Sequence, residues 1–462
     1  MSQRIPLDNA LSGFAGHIGV ARADITPPVG IYARNWGAAK HDVAEGVHRP
    51  LTATAVTLQS TSDSAPLVLI ALDLGWWRTP EDEYFVRGGV LETLQLDPAR
   101  VLINMAHTHA GPSLCREDVS QPGGEFIAPY LERLRHTVTN LTEQALASAE
   151  PAVLEWIKGK CDLAQNRDLP DPNNDRFLSG YNPSGTADDT LLVGRITNTG
   201  GKHLATIVNY ACHPVTLAWD NALLSPDWIG TLRETVEQST DSLCLYLHGA
   251  SGDVAPREAP ATPDIADAHG RVLGYAVLST LHKMLPANQR LEFGGVVESG
   301  APIAVWARKP HTHASTLKAV QVPVTFALQP MPTLKELDAM IEETTDRAFA
   351  ERLKRKRRIR KAVGEGESAK MPLWVWKVGD SLWVAHPNEA YSALQTQLRE
   401  AFAPHPVVVM NITNGHFGYL ATENLYDYEI YPVWQSPFGR GSLERLIAIS
   451  EKAIETLCTE ES

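Results

Sequence analysis

A short apolar run, Val101-Leu102-Ile103-Asn104-Met105, leads directly into Ala106-His107-Thr108-His109-Ala110-Gly111-Pro112. The run reads as a buried strand, and the Gly-Pro pair as the turn that ends it. Two histidines at i and i+2 fall on one face of an extended backbone, because strand side chains repeat every two residues. A helix would turn them apart. Such a pair offers two imidazoles at a pocket mouth, as metal ligands or as one ligand and one acid–base group. A plainer reading stands beside it: two hydrogen-bonded polar residues at a strand end. The rest of the chain has to separate the two.

Composition narrows the function classes. With 462 residues, 44% of them hydrophobic, the chain can bury a large core. The net charge of −13 argues against nucleic-acid binding, which needs a basic footprint, and against adsorption to anionic membranes. Five cysteines (Cys115, Cys161, Cys212, Cys244 and Cys458) are scattered without any CxxC, so no thiolate metal cage or redox dithiol is signalled. The first residues lack a basic segment followed by an apolar stretch, and no run reaches the roughly 18–20 apolar residues of a membrane span. A soluble cytoplasmic protein without stable membrane insertion is expected. Its expected partner is a small-molecule substrate, with homo-oligomerisation left open.

Along the chain, strand and helix patterns alternate. Thr52–Leu58 and Leu67–Asp73 read as a hairpin, Glu81–Leu96 as a helix, and Val101–Met105 completes a strand–helix–strand unit. Phe126–Ser148 has amphipathic helical spacing, and Leu191–Thr197 with His203–Asn209 reads as another hairpin. Between them lies a long polar loop, Arg167–Asp189, of the kind that is usually functional or disordered. Further strands are expected at Cys244–Leu247, Leu373–Val378, Ser381–Val384 and Val407–Ile412. Residues 300–370 read as a charged helical insertion, and the basic run Lys354–Lys361 within it as a solvated face. The expected fold is one α/β domain over residues 1–462, with a mixed sheet core, flanking helices and a site at strand ends.

Five expected strands end in side chains with chemistry: Asp73, His107 with His109, His213, Asp253 and Glu389. Pockets in α/β folds form at strand ends. Three imidazoles and a carboxylate suit a catalytic Zn²⁺, which takes N and O donors and keeps one position open. Asp73 is expected to orient a ligand histidine. His17, His41, His48, His311 and His313 are read as surface or substrate-side residues.

Four segments carry a resemblance: Ala23-Asp24-Ile25-Thr26-Pro27-Pro28-Val29-Gly30, Ala106–Pro112, Asn209-Tyr210-Ala211-Cys212-His213-Pro214-Val215-Thr216 and Gly252-Asp253-Val254-Ala255-Pro256. In this order they resemble the N-terminal catalytic domain of the neutral/alkaline ceramidases, zinc-dependent amidases that split ceramide. The resemblance implies one Zn²⁺ held by His107, His213, Glu389 and Tyr419. It implies His109 as the histidine that takes a proton from the attacking water, with Tyr431 and Arg167 at the substrate carbonyl. Asp253, Ala255 and His416 are read as substrate-side residues.

The sequence also departs from that family. Ala255 stands where the family has a serine needed for ceramide cleavage. The family's C-terminal β-sandwich domain is expected to be absent, and so is a signal peptide. Together with the polar loop, these departures point to a zinc hydrolase acting on an amide, ester or related carbonyl bond of a soluble small molecule. A ceramidase-like N-acylsphingosine amidase is the alternative within enzymes. A non-catalytic metal-binding or scaffold protein is the alternative outside them.

Overall fold

A computed structural model describes residues 8–9 and 11–459. Eight strands build a large sheet: β1 (Ser12–Asp24), β2 (Thr52–Gln59), β3 (Leu67–Leu72), β4 (Val101–Met105), β5 (Glu150–Lys160), β6 (Thr190–Asn198), β7 (His203–Tyr210) and β8 (Leu243–His248). Their order is β8-β7-β6-β5-β1-β2-β3-β4. The outermost pairs, β3 with β4 and β7 with β8, are parallel, and every other pair is antiparallel. A second sheet runs β9 (Leu317–Ala327), β10 (Ser368–Val378), β11 (Ser381–Ala385) and β12 (Val407–Met410), with β11 and β12 parallel. The fold is α/β with a mixed sheet core, as expected from the sequence.

Alternation along the strands decides the layering. On β2, Val56 and Leu58 point to the space between the sheets, and Ala53 and Ala55 to the opposite face. On β12, Val408 and Met410 point inward and Val407 and Val409 outward. Trp374, Trp376 and Trp383 fill the space between the sheets. Their indole N–H groups donate to Pro98 O, Ala99 O and Ser381 Oγ, so these large side chains are buried with their polar atoms paired. Helices α1 (Pro80–Leu94), α2 (Ile127–Ala147), α3 (Trp228–Thr240) and α4 (Pro263–Leu281) cover the outer face of the large sheet. After α5 (Leu334–Glu343) and α6 (Arg347–Val363), helices α7 (Ala393–Ala401) and α8 (Ser442–Thr459) cover the small one. Each fully buried Leu or Ile in these layers contributes on the order of 2 kcal/mol.

One junction gathers the strand ends. The His248 N–H donates to Asn104 Oδ1 (2.9 Å), Asn104 Nδ2 donates to Asn411 O (2.7 Å), and the Asn411 N–H donates to His248 O (2.9 Å). The edge strands β4 and β8 of the large sheet are thereby tied to the residue that follows β12. All three residues are fully buried, so these bonds could not be replaced by water.

Residues 300–370 differ from the expected helical insertion. They contain the second strand of an antiparallel hairpin, Gln289–Glu298 with Pro302–Pro310, then β9 of the small sheet, and only then α5 and α6. Apolar residues in the strands gave no helical period, and the charged stretch after them dominated the reading. Among the described residues no helix is long and apolar enough to cross a membrane.

Candidate active site

β4 ends at Met105, and the chain crosses to the end of β3: Ala106 N–H donates to Leu72 O (2.8 Å) and His107 N–H to Leu74 O (2.9 Å). His107 then adopts a left-handed backbone, with φ 70°. This corrects the extended i, i+2 picture. The rings of His107 and His109 lie 5.0 Å apart because the chain turns at His107, not because of strand pleating. A non-glycine residue in this region costs roughly 1–2 kcal/mol, and such residues cluster at functional sites. His213 follows β7, and its N–H donates to Val254 O (3.1 Å). Glu389 and Tyr419 are set side by side by a two-residue parallel ladder, Glu389–Ala390 with Tyr419–Leu420.

These groups meet around one carboxylate. Glu389 Oε2 lies 3.2 Å from His107 Nε2 and 3.1 Å from His213 Nε2, and Oε1 lies 2.8 Å from His416 Nε2. The other nitrogen of His213, Nδ1, faces the carbonyl of Ser251 at 2.7 Å, and Nδ1 of His107 faces that of Gly75 at 3.4 Å. A carbonyl only accepts, so each neutral ring carries its proton on Nδ1 and turns the Nε2 lone pair toward Glu389. Three acceptor atoms pointed at one another require a cation between them. Burial pushes the His213 imidazole down to about 3, so at neutral pH that ring does not itself supply the positive charge. This donor set fits a divalent metal that takes nitrogen and oxygen ligands.

A second grouping shares two of these residues. The ligand atoms of His107, His109 and His213 lie within 4.8 Å of one another. Glu389 approaches the shared pair far more closely than that, which favours the carboxylate as the third ligand. Both ring nitrogens of His109 are buried without a hydrogen-bond partner. Burial, then the neighbouring His107 and His213, hold its imidazole well below the ordinary range, so it is a neutral base with a free lone pair. Its ring packs between Trp36 and Trp76, 4.9 Å from each.

Arg167 is buried beside this group. Its Nε and Nη2 donate to Gly252 O (3.1 and 2.8 Å), and Nη2 also donates to the Tyr419 hydroxyl (3.2 Å). Tyr431 opens a one-turn helix, Tyr431–Gln435, and its ring centroid lies 5.8 Å from that of Tyr419. A cavity of about 380 Å³ opens over these residues; Ala255, His416, Trp219 and Tyr181 also line it.

Four expectations change. Asp73 does not reach a histidine: it is ion-paired to Arg233, and its Oδ2 accepts from Thr52 N–H (2.7 Å) and Thr52 Oγ1 (2.8 Å). The backbone of Gly75, two residues on, orients His107 instead. Asp253 does not line the cavity, because its carboxylate accepts from the backbone N–H and the hydroxyl of Ser392, both at 2.7 Å. The basic run does not face only water. Arg355 and Arg358 of α6 line the cavity, and Arg355 lies over the Trp76 ring at 5.4 Å. His313 is also buried, bonded to Glu155 (3.0 Å).

The sequence reading missed His248 and Trp36. His248 stands behind His107 and His213, joined to His213 through Ser251 Oγ (2.8 Å to His248 Nε2, 3.0 Å to His213 Nδ1). Its place at the end of a short apolar run was the available signal. Trp36 lies in an irregular loop and gave none.

Residues 17–256, more than half of the chain, match the N-terminal domain of the neutral/alkaline non-lysosomal ceramidases. The chain belongs to this family. The crystal structure of neutral ceramidase from Pseudomonas aeruginosa is similar, with a TM-score of 0.68 at 16% identity over 96% of this chain and 75% of that one. A ceramidase complexed with C2 is similar at a TM-score of 0.66 and 14% identity, covering 96% of this chain and 76% of that one. These neighbours share the ceramidase fold through both sheets. The ceramidase family is one of hydrolases, and His107, His109 and His213, the first and last of them also facing Glu389, form a group that could hold a metal ion.

Proposed function

We propose that this ceramidase-family chain is a zinc-dependent hydrolase that cleaves an amide or ester bond of a small molecule. One observation carries the reading: His107 Nε2 and His213 Nε2 both turn a lone pair to the same oxygen of Glu389, at 3.2 and 3.1 Å. His107, His213, Glu389 and Tyr419 would hold the ion. A zinc ion supplies a nucleophilic water at neutral pH and polarises a carbonyl.

The remaining chemistry belongs to side chains on the cavity wall. His109 has both ring nitrogens free and can take a proton from the attacking water and return it to the leaving group. Arg167 and the Tyr431 hydroxyl supply donors for the oxyanion that forms at the carbonyl. Trp36 and Trp76 around His109 limit access of bulk water to it. A second reading, an N-acylsphingosine amidase, draws on the apolar wall of Trp36, Trp76, Trp219 and Ile359, which suits an acyl chain.

Metal analysis of purified protein tests the proposal together with turnover of p-nitrophenyl acetate, N-acetyl amino acids and ceramide. The expected result is about one zinc per chain. His107→Ala and Glu389→Ala lose both zinc and turnover. Protein that carries no bound metal after zinc-replete expression, or unchanged turnover in His107→Ala, contradicts it. Ceramide as the preferred substrate of the panel selects the second reading.

A further inference from the structure

Five arginines line the cavity: Arg78, Arg167, Arg352, Arg355 and Arg358, against two carboxylates, Glu351 and Glu389. This is a local excess of positive charge in a chain of net charge −13. Three of the five are neutralised. Arg78 and Arg358 share Asp118, and Arg355 pairs with Glu351 at 3.3 Å. Arg167 is held by a carbonyl and a hydroxyl.

Arg352 differs from all of these. Among the described residues no carboxylate lies within ion-pair distance of it. Its guanidinium stacks instead on Trp434, 4.1 Å from the ring centroid, with Tyr431 at 5.9 Å. Lys356, one turn on in α6, lies over the same Trp434 ring at 4.1 Å. Two like charges at i, i+4 repel, but the Lys356 ammonium also donates to Trp434 O (2.9 Å), so of the two cations on this indole the exposed Arg352 is the one without a hydrogen-bond partner among the described residues. Burial, and then Arg352, push the Lys356 amine down. The exposed Arg352 guanidinium keeps its fork of N–H donors without an acceptor among the described residues. That planar fork matches a carboxylate. The Arg352 guanidinium lies 5.9 Å from the Tyr431 ring, which lies 5.8 Å from the Tyr419 ring, so two aromatic rings separate an anion on Arg352 from the groups around Glu389.

We propose that the cavity selects a carboxylate-bearing substrate, whose acid group binds Arg352 while its amide or ester carbonyl lies at Arg167 and Glu389. This rests on the hydrolase reading for the position of the carbonyl, but the anion site can be read without turnover. The experiment titrates 8-acetamidooctanoic acid, whose acid and amide carbonyl are far enough apart to span both places, and its neutral amide, 8-acetamidooctanamide, into the full chain, followed by calorimetry. The wild type is expected to bind the acid about tenfold more tightly than the amide. Arg352→Gln brings the two within about twofold, and Arg352→Lys, which keeps the charge, retains part of the preference. Hydrolysis rates of the same pair follow the same order if the hydrolase reading holds. Binding preference without turnover of either compound would sink the hydrolase reading and keep the anion site. Equal affinities for acid and amide in the wild type, or an acid preference that survives Arg352→Gln, overturns the proposal.

Discussion

His107 reaches Glu389 only because its backbone is left-handed; an extended residue there would continue β4 past Leu74 O, where the His107 N–H now donates. Asp73, at the end of the neighbouring strand, has the opposite role. Its pair with Arg233 is buried, with both side chains less than a tenth exposed, and it ties β3 to α3. Removing one partner leaves an unpaired buried charge. Asp73→Ala is therefore expected to cost about 3 kcal/mol in urea unfolding. Metal content should stay at the wild-type level, which a ligand-orienting role would not allow. The two residues carried equal weight in the sequence because each follows an apolar strand. Their partners, 282 and 160 positions away, decided between them.

At the scale of elements, close packing of α2 on β1 depends on Gly19. A Cβ there would lie 1.7 Å from the Ala145 carbonyl oxygen, which backbone cannot yield. Gly19→Ala is expected to destabilise by about 3 kcal/mol, by forcing the helix off the sheet. Gly88 in α1 is the contrast: its added Cβ meets side chains at 3.5 Å and beyond, so Gly88→Ala should stabilise by about 0.5–1 kcal/mol through helix propensity. Urea midpoints of the two variants, moving in opposite directions, check both. Helix α6 shows why charge alone misled. Leu353, Ile359 and Val363 are buried, so one side of the helix is covered and its arginine stems run along that cover toward the cavity. The apolar stripe was present in the sequence, but eight residues rich in lysine and arginine concealed it.

For the molecule as a whole, buried histidines set the response to acid. Burial lowers the imidazoles of His109, His213, His248, His386 and His416, with His213 and His386 at about 3. The unfolded chain binds these protons near pH 6.5, and the folded chain does not. Stability is therefore complete above about pH 6.5 and falls as pH drops toward the folded values. Asp227 and Asp168, raised by burial to about 6, act in the opposite sense, because protonation favours their folded forms. Asp253 and Glu83 are raised as well, but Glu389, Asp118 and Glu155 are held low, against burial, by their cationic and hydrogen-bonding partners and act with the five histidines, which sets the net sign. The melting temperature of metal-free protein should fall steadily from pH 7 to pH 4.5. Replacing His386, which lies outside the cavity, with Gln should flatten that slope. A melting temperature independent of pH over this range would refute the account.

Local rules made much of this protein legible from its sequence. β-rich apolar runs bounded by polar turns located β2, β3 and β12 to within a residue or two, and the Ser-Pro-Asp-Trp segment marked the start of α3, where Asp227 accepts from the Trp228 N–H (2.7 Å). Histidines and a glutamate at strand ends pointed to a metal site, since those positions face the edge of a sheet. Tertiary structure decided what local patterning cannot encode. The Asn104–His248–Asn411 junction brings the ends of β4, β8 and β12 together, and Glu389 enters between histidines that are 106 residues apart in the chain. Charge patterning described α6 as a solvated surface, whereas the packed molecule turns Arg352, Arg355 and Arg358 to the cavity. A side chain's partners depend on which distant elements share its layer, and that is set by the burial of both sheet faces at once.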